Sequence, residues 1–280
     1  QDGLAHIALS ILDEGDLMLV PDPCYPVFVD GPKLAGAEIY YMPQRKENGY
    51  IIDLAEIPED VAQRARFMLI SYPNNPTTVL APDSFYRDVI AFAKKHDIMV
   101  LHDNAYSELV FDGASCGSFL QYPGARDVGV EFNSLSKTYG MAGARVGFCL
   151  GNREMVRNLG LLKSNLDYGI FIPIQKAAVA ALTGDQSCVE TGRAAYERRR
   201  NLLCDGLTSI GWKVERCPAT MFVWADVPEK FHSSLEFVKE LCERTGVIVT
   251  PGSAFGPSGE GHVRMALVQD EDKIQEAVEA

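Results

Sequence analysis

Short apolar segments alternating with amphipathic helical segments constrain the fold of this chain more than any other feature. Most of the apolar segments end at a proline or a polar residue, which is typical of buried strands. We predict strands at Asp16–Pro21, Glu38–Met42, Phe67–Ser71, Ile98–His102, Val128–Phe132 and Val146–Leu150, and helices at Leu4–Leu12, Pro26–Leu34 and Asp83–His96. This order predicts an α/β fold with a mostly parallel sheet flanked by helices.

The pattern changes after about residue 172. Two helical segments are followed by apolar segments that are separated by longer irregular stretches. We predict helices at Ile174–Leu182, Val189–Leu207 and Ser233–Gly246, and strands at Trp212–Arg216, Met221–Asp226 and His262–Leu267. A large domain at residues 1–190 and a smaller α+β domain at residues 191–280 follow from this change. Because the chain opens directly on an apolar helix, we expect the N-terminal part of the large domain to be missing.

Charge and cysteine usage narrow the classes of function. The net charge is -12, without a basic tail, which argues against nucleic acid or an anionic membrane surface as a partner. The one basic cluster, Arg198–Arg200, is expected on a solvated helix face. Seven scattered cysteines without a C-x-x-C pair are typical of a reducing compartment, so we expect a cytoplasmic protein. No histidine or cysteine spacing predicts a metal site.

The segment Ser134–Gly147 carries the strongest chemical signal. Lys137 lies there among hydroxyl residues, glycines and one arginine, directly after a predicted strand. Such a lysine amine can bond covalently to an aldehyde cofactor. Ser134, Ser136 and Arg145 would donate hydrogen bonds to a phosphate, and an arginine can bond two oxygens at once. The segment therefore predicts a site for a phosphorylated aldehyde cofactor.

A nucleotide-binding P-loop is the alternative interpretation of Ser136-Lys137-Thr138. That loop requires a glycine directly before the lysine and a second glycine five residues earlier. Ser136 and Glu131 occupy those two positions. The sequence therefore excludes a P-loop.

The lysine segment resembles that of the class I/II aminotransferases, which are fold-type-I enzymes dependent on pyridoxal 5'-phosphate. The similarity is greatest to the branch that contains alanine, methionine and LL-diaminopimelate aminotransferases. It extends over almost the whole chain, from residue 1 to about residue 270. The resemblance implies that Lys137 binds the cofactor and acts as the catalytic base.

Asp103 follows the predicted strand Ile98–His102. A buried carboxylate is costly unless a positive group faces it, although an aspartate here could also cap a helix. The resemblance implies that Asp103 pairs with the pyridine nitrogen of the cofactor. It also implies that Asn75, in Tyr72–Thr77, and Tyr106 share the ring oxygen, and that Tyr25 stacks on the ring.

The resemblance assigns three further regions. Gln1 and Asp2 match the start of a helix that holds part of the phosphate, with the Asp2 carboxylate turned away. Arg264 matches the arginine that binds the α-carboxylate of the substrate, near the loop Pro251–Gly256, and Asn75 is a second residue expected to bind the substrate. The segment Asn165–Phe171 resembles one that reaches the neighbouring active site in family dimers, so we expect a homodimer with shared active sites.

The implied activity is amino transfer between an L-amino acid and a 2-oxo acid by a ping-pong mechanism. Two alternatives stay open on the residues. A pyridoxal-phosphate-dependent C–S β-lyase would use almost the same residues, because substrate geometry decides which bond breaks. A cofactor-sensing effector domain of a transcription regulator would carry its DNA-binding part upstream of residue 1.

Overall fold

A six-stranded sheet organises the first half of the molecule. The computed structural model describes residues 1–280. The strands are β1 (Leu17–Asp22), β2 (Glu38–Pro43), β3 (Ala65–Ser71), β4 (Met99–Asp103), β5 (Gly129–Ser134) and β6 (Gly147–Gly151). Their order is β2-β1-β3-β4-β5-β6; the first five are parallel and β6 is antiparallel to β5. The predicted mostly parallel sheet is confirmed.

Helices cover both faces of this sheet. They are α1 (Asp2–Ile11), α2 (Val27–Leu34), α3 (Glu59–Arg64), α4 (Asp83–His96), α5 (Ala125–Val128), α6 (Leu135–Thr138) and α7 (Arg153–Leu166). Along β1, Leu17 and Leu19 belong to the core beneath α4, whereas Met18 and Val20 belong to the core beneath α1, α2 and α7. Both faces of the strand are therefore buried, as expected for parallel strands.

A smaller antiparallel sheet organises the C-terminal part. It contains β7 (Phe222–Asp226), β8 (Thr250–Pro251) and β9 (His262–Ala266), in the order β7-β9-β8. The helices α8 (Ile172–Thr183), α9 (Ser187–Ser209), α10 (Ser234–Thr245) and α11 (Glu271–Glu279) complete the chain. Side chains of α9, α10 and α11 form one core with β7 and β9. None of the helices combines the length and the apolar character needed to cross a membrane.

Two local predictions are wrong. Trp212–Arg216 is not a strand: the Trp212 N–H donates to the Leu207 carbonyl, and the Val214 N–H donates to Thr208 Oγ1. These bonds to the end of α9 use the donors that a strand ladder would need. Arg200 is not on a solvated face but fully buried, where its guanidinium donates to both carboxylate oxygens of Asp112.

Candidate active site

The carboxyl ends of the parallel strands bring the predicted site residues to one edge of the large sheet. Asn75 follows the end of β3, Asp103 ends β4, and Ser134 ends β5. The register pairs Ser71 with Asp103 across β3 and β4, so these strand ends lie side by side. Ligands bind at this edge in open α/β sheets. The three residues therefore share one edge of the sheet, as expected from the sequence, and their chemical roles stay predictions.

Lys137 lies on the short helix α6, half-buried, at this edge. Burial lowers the pKa of its amine, and the charges of Arg264 and Arg145 lower it further. An amine in such surroundings is deprotonated more readily than a solvated lysine, as a nucleophile or base requires.

Asp103 has an environment that suits a cationic partner. Burial raises the pKa of its carboxyl. The charge of the chain's amino terminus, the charge of His102 and a hydrogen bond from the Ala105 N–H each lower this pKa and partly offset the effect of burial. No lysine or arginine forms an ion pair with it. A ligand that placed a positive group here would compensate for the burial of the carboxylate.

Arg264 joins the small sheet to the edge of the large one. Its Nη1 donates to Asn75 Oδ1 at 2.8 Å, although 189 residues separate the two in the chain. The guanidinium carbon lies 4.0 Å from the centre of the Phe222 ring and 4.5 Å from that of Phe255. Burial lowers the Arg264 pKa, and its Nε is buried without a hydrogen-bond partner. A partly buried cation that forms no ion pair with a carboxylate of the chain is suited to receive one from a ligand.

Tyr106 and Tyr25 lie close to these charged groups. Tyr106 is buried; burial raises the pKa of its phenol, Asp103 raises it further and Arg264 opposes the rise. The Tyr25 hydroxyl donates to Gln1 Oε1 at 3.3 Å, which places the start of α1 beside this ring. Tyr106 is therefore a neutral phenol close to both Asp103 and Arg264, and Tyr25 lies beside the start of α1.

The predicted phosphate donors are placed less uniformly. Ser134 Oγ accepts the Ser136 N–H at 3.1 Å, and antiparallel pairing of Ser134 with Gly147 brings Arg145 close to the lysine segment. Arg145 is exposed, and its Nη1 donates to the Ala142 carbonyl at 2.9 Å. The Ser136 hydroxyl forms no hydrogen bond to another predicted site residue. These donors thus lie in one segment, but their side chains do not form hydrogen bonds with one another.

The start of α1 presents its backbone N–H groups without a side-chain cap. Gln1 occupies the cap position, and the Asp2 carboxylate accepts a hydrogen bond from Lys163 Nζ at 2.8 Å. The Asp2 carboxylate is therefore held by a hydrogen bond to α7. The free N–H groups at the start of α1 favour the binding of an anion.

Sequence reasoning missed the aromatic support of Arg264. Phe255 lies in the loop that the resemblance had placed near the substrate, but Phe222 had no signal of its own. The loop is bound to the end of β1, where Asp22 Oδ2 accepts from Ser258 Oγ at 2.6 Å and the Cys24 N–H donates to the Phe255 carbonyl at 2.7 Å. Only the alternation of β7 could have indicated Phe222.

Comparison with known proteins agrees with this geometry. A model of the family "Aminotransferase class I and II" matches residues 2–280. The LL-diaminopimelate aminotransferase of Moorella thermoacetica is 47% identical over 279 residues, which cover 100% of this chain and 71% of the relative. That of Syntrophobacter fumaroxidans is 48% identical over 279 residues, which cover 100% of this chain and 72% of the relative.

Solved structures agree with the sequence relatives. Substrate-bound BacF from Bacillus subtilis has a TM-score of 0.96 and 38% identity, over 99% of this chain and 70% of that one. A mutant aspartate aminotransferase from Thermus thermophilus has a TM-score of 0.91 and 27% identity, over 99% and 72%. The curated relatives are transferases, which supports amino transfer over the lyase and the regulator. The chain belongs to the class I and II aminotransferase family and is an enzyme that transfers an amino group between an amino acid and a 2-oxo acid.

Proposed function

We propose that the site at the sheet edge binds pyridoxal 5'-phosphate and transfers the amino group of LL-diaminopimelate to a 2-oxo acid. The observation that carries the proposal is the convergence of Lys137, Asp103 and Arg264, all partly buried, on one edge of the large sheet, each with an environment suited to a different part of the reaction. The names of the curated relatives supply the amino donor.

The residues present fit this cofactor. Lys137 offers an amine with a lowered pKa. Asp103 offers a partly buried carboxylate without a lysine or arginine partner, which suits a pyridine nitrogen that carries a proton. Asn75 and Tyr106 offer an amide and a phenol for the ring oxygen, and Tyr25 an aromatic face. Ser134, Ser136, Arg145 and the start of α1, with Gln1 and Asp2, offer donors for the phosphate.

The chain's own residues account for binding and proton transfer. When bound, the cofactor supplies an aldehyde that holds the substrate nitrogen and a ring that accepts electrons from the substrate α-carbon. Arg264 binds the α-carboxylate, and its bond to Asn75 fixes the direction of the guanidinium. Lys137 Nζ takes the α-proton and returns it, which its lowered pKa favours. Asp103 keeps a proton on the pyridine nitrogen.

We also propose a homodimer in the cytoplasm. Tyr168, Phe171 and Ile172 are 88%, 72% and 64% exposed, in and beside the segment that resembles a family dimer contact. Adjoining exposed apolar side chains are typical of a surface that another chain covers. Sedimentation should give a mass of two chains at micromolar concentration, and Phe171→Glu should shift it toward one.

A single-turnover experiment tests the proposed donor. The cofactor-loaded protein is mixed with one amino acid at a time, without any 2-oxo acid, and the visible spectrum and the products are followed. LL-diaminopimelate should yield one equivalent of its oxo product per site, faster than N-succinyl-LL-diaminopimelate or L-alanine. Equal or faster turnover of either comparison substrate would contradict the assignment of the donor while leaving amino transfer in place.

A further inference from the structure

A buried histidine lies directly beside Asp103 on β4. His102 is fully buried, and it faces the side of the sheet opposite Asp103 because neighbouring strand residues alternate. Its register partners are Ile70 on β3 and Glu131 on β5. The proposed reaction gives this histidine no role.

Both ring nitrogens of His102 face groups that accept hydrogen bonds. Nε2 lies 3.2 Å from the Tyr72 carbonyl oxygen, which has no hydrogen to donate. Nδ1 lies 3.0 Å from Glu131 Oε2. A neutral imidazole carries hydrogen on only one nitrogen, whereas the imidazolium carries it on both. The number of hydrogens on the His102 ring therefore depends on whether Glu131 can donate a hydrogen to Nδ1.

Glu131 is surrounded by donors of its own. Oε2, the atom that faces His102, already accepts the Phe119 N–H at 2.7 Å, and both carboxylate oxygens lie 3.0 Å from Ser118 Oγ. Burial tends to raise the Glu131 pKa, but bonds from His102, Ser118 and Phe119 hold it below its ordinary value. Glu131 is therefore a carboxylate that accepts from His102.

Few other titratable groups face this pair. Tyr86 of α4 packs edge-on against the His102 ring at 5.6 Å, with Tyr72 at the end of β3, Cys116 in the loop after β4 and Tyr122 nearby. Burial raises the pKa of all four, to about 12 for Cys116, so they are neutral. His102 and Glu131 are thus the charged groups of this cluster, and the chain's amino terminus is the other charge that acts on Asp103.

We propose that His102 is an imidazolium held by Glu131 and the Tyr72 carbonyl, and that it is a positioning residue that keeps Asp103 charged for the cofactor's pyridine nitrogen. The second part rests on the proposed function. Burial favours the neutral acid of Asp103, and the charge of the chain's amino terminus opposes this effect. His102, the strand neighbour of Asp103 on β4, adds a second opposing charge. If His102 only linked neighbouring strands through hydrogen bonds, its positive charge would not be needed.

The charge state can be measured in the intact, cofactor-loaded protein without any change at His102. The chain contains five histidines, so nitrogen NMR on protein labelled at histidine, with His6, His96, His232 and His262 replaced in turn, assigns the His102 ring. We expect N–H hydrogens on both ring nitrogens at neutral pH. One N–H and one bare nitrogen would overturn the proposal.

The link to Asp103 is tested with His102→Gln, which keeps a donor but carries no charge. Without the imidazolium the Asp103 pKa rises, so the carboxylate is lost at higher pH as the solution is acidified. The acid limb of kcat/KM and the acid transition of the visible band should both move up by about one pH unit. His96→Gln, a change of the same type at a buried side chain on α4, should leave both unmoved.

The outcomes separate the two parts of the account. If His102→Gln loads cofactor normally and its acid limb coincides with that of the unmodified protein, the positioning role is overturned even where NMR finds an imidazolium. If His102→Gln does not fold, the count of ring N–H hydrogens alone decides the charge state. Failure of the proposed function would appear as absence of amino transfer by the unmodified protein, and the count of ring N–H hydrogens does not depend on that activity.

Discussion

Replacing Arg264 with lysine is expected to weaken binding of the substrate α-carboxylate about a hundredfold. A lysine ammonium can still donate to Asn75 Oδ1, the contact that the guanidinium makes at 2.8 Å, so the fold should be retained. It cannot form two parallel bonds to a carboxylate, and it lacks the flat surface that lies between the rings of Phe222 and Phe255.

The magnitude follows from these two losses. One charge-assisted hydrogen bond contributes about 1.5–3 kcal/mol. The weaker contact with the aromatic faces adds about 0.5–1 kcal/mol. The sum is about 3 kcal/mol, which is about a hundredfold in a dissociation constant at 1.4 kcal/mol per factor of ten.

The assay is the rate of the amino-donor half-reaction as a function of amino acid concentration. KM should rise about a hundredfold with kcat within about threefold, because the interaction serves binding in both the ground and transition states. Arg216→Lys is the matched control: Arg216 bonds both oxygens of Asp205 in the small domain, but it is half-exposed and remote from the site. A KM for Arg264→Lys within about twofold of the unmodified protein would refute the carboxylate role.

Two further predictions concern stability. Gly256→Ala should destabilise the protein by at least about 2 kcal/mol, because an added Cβ would lie 2.1 Å from Asp22 Oδ1 at a φ of 121°. Gly160→Ala, in open space on α7, should stabilise it by about 0.5–1 kcal/mol, and thermal unfolding measures both; equal melting temperatures would refute the packing argument. Glu131→Gln should lose less stability in acid than the unmodified protein. The pKa of Glu131 in the folded state lies below the ordinary glutamate pKa, so its carboxylate stabilises the fold at pH values above that ordinary pKa. This stabilisation is lost as the pH falls through the folded-state pKa. Urea titrations at a series of pH values check this, and parallel curves would contradict it.

Much of the large sheet could be predicted because its signals are local. Each strand is a short apolar segment, and the polar residues that follow β3, β4 and β5 must meet at one edge once the strands are parallel. Asn75, Asp103 and Lys137 were therefore placed on the correct edge by order along the chain. Helix α7 was not predicted, although Asn152 caps it by accepting from the Glu154 and Met155 N–H groups.

The rest depended on contacts between distant parts of the chain. Nothing in the local pattern pairs Arg264 with Asn75, or places Phe222 and Phe255 against one guanidinium. Arg200 was misassigned for the same reason, since its burial depends on Asp112, 88 residues earlier. The domain boundary near residue 190 stays a prediction.

The most direct test of the account is to locate the cofactor on the chain. The protein is loaded with pyridoxal 5'-phosphate, treated with borohydride to fix any bond between a lysine and the aldehyde, digested, and mapped by mass spectrometry. We expect one modified residue, Lys137, together with loss of amino transfer in Lys137→Ala while phosphate contacts still retain some cofactor. Modification of a different lysine, or normal turnover by Lys137→Ala, would contradict it.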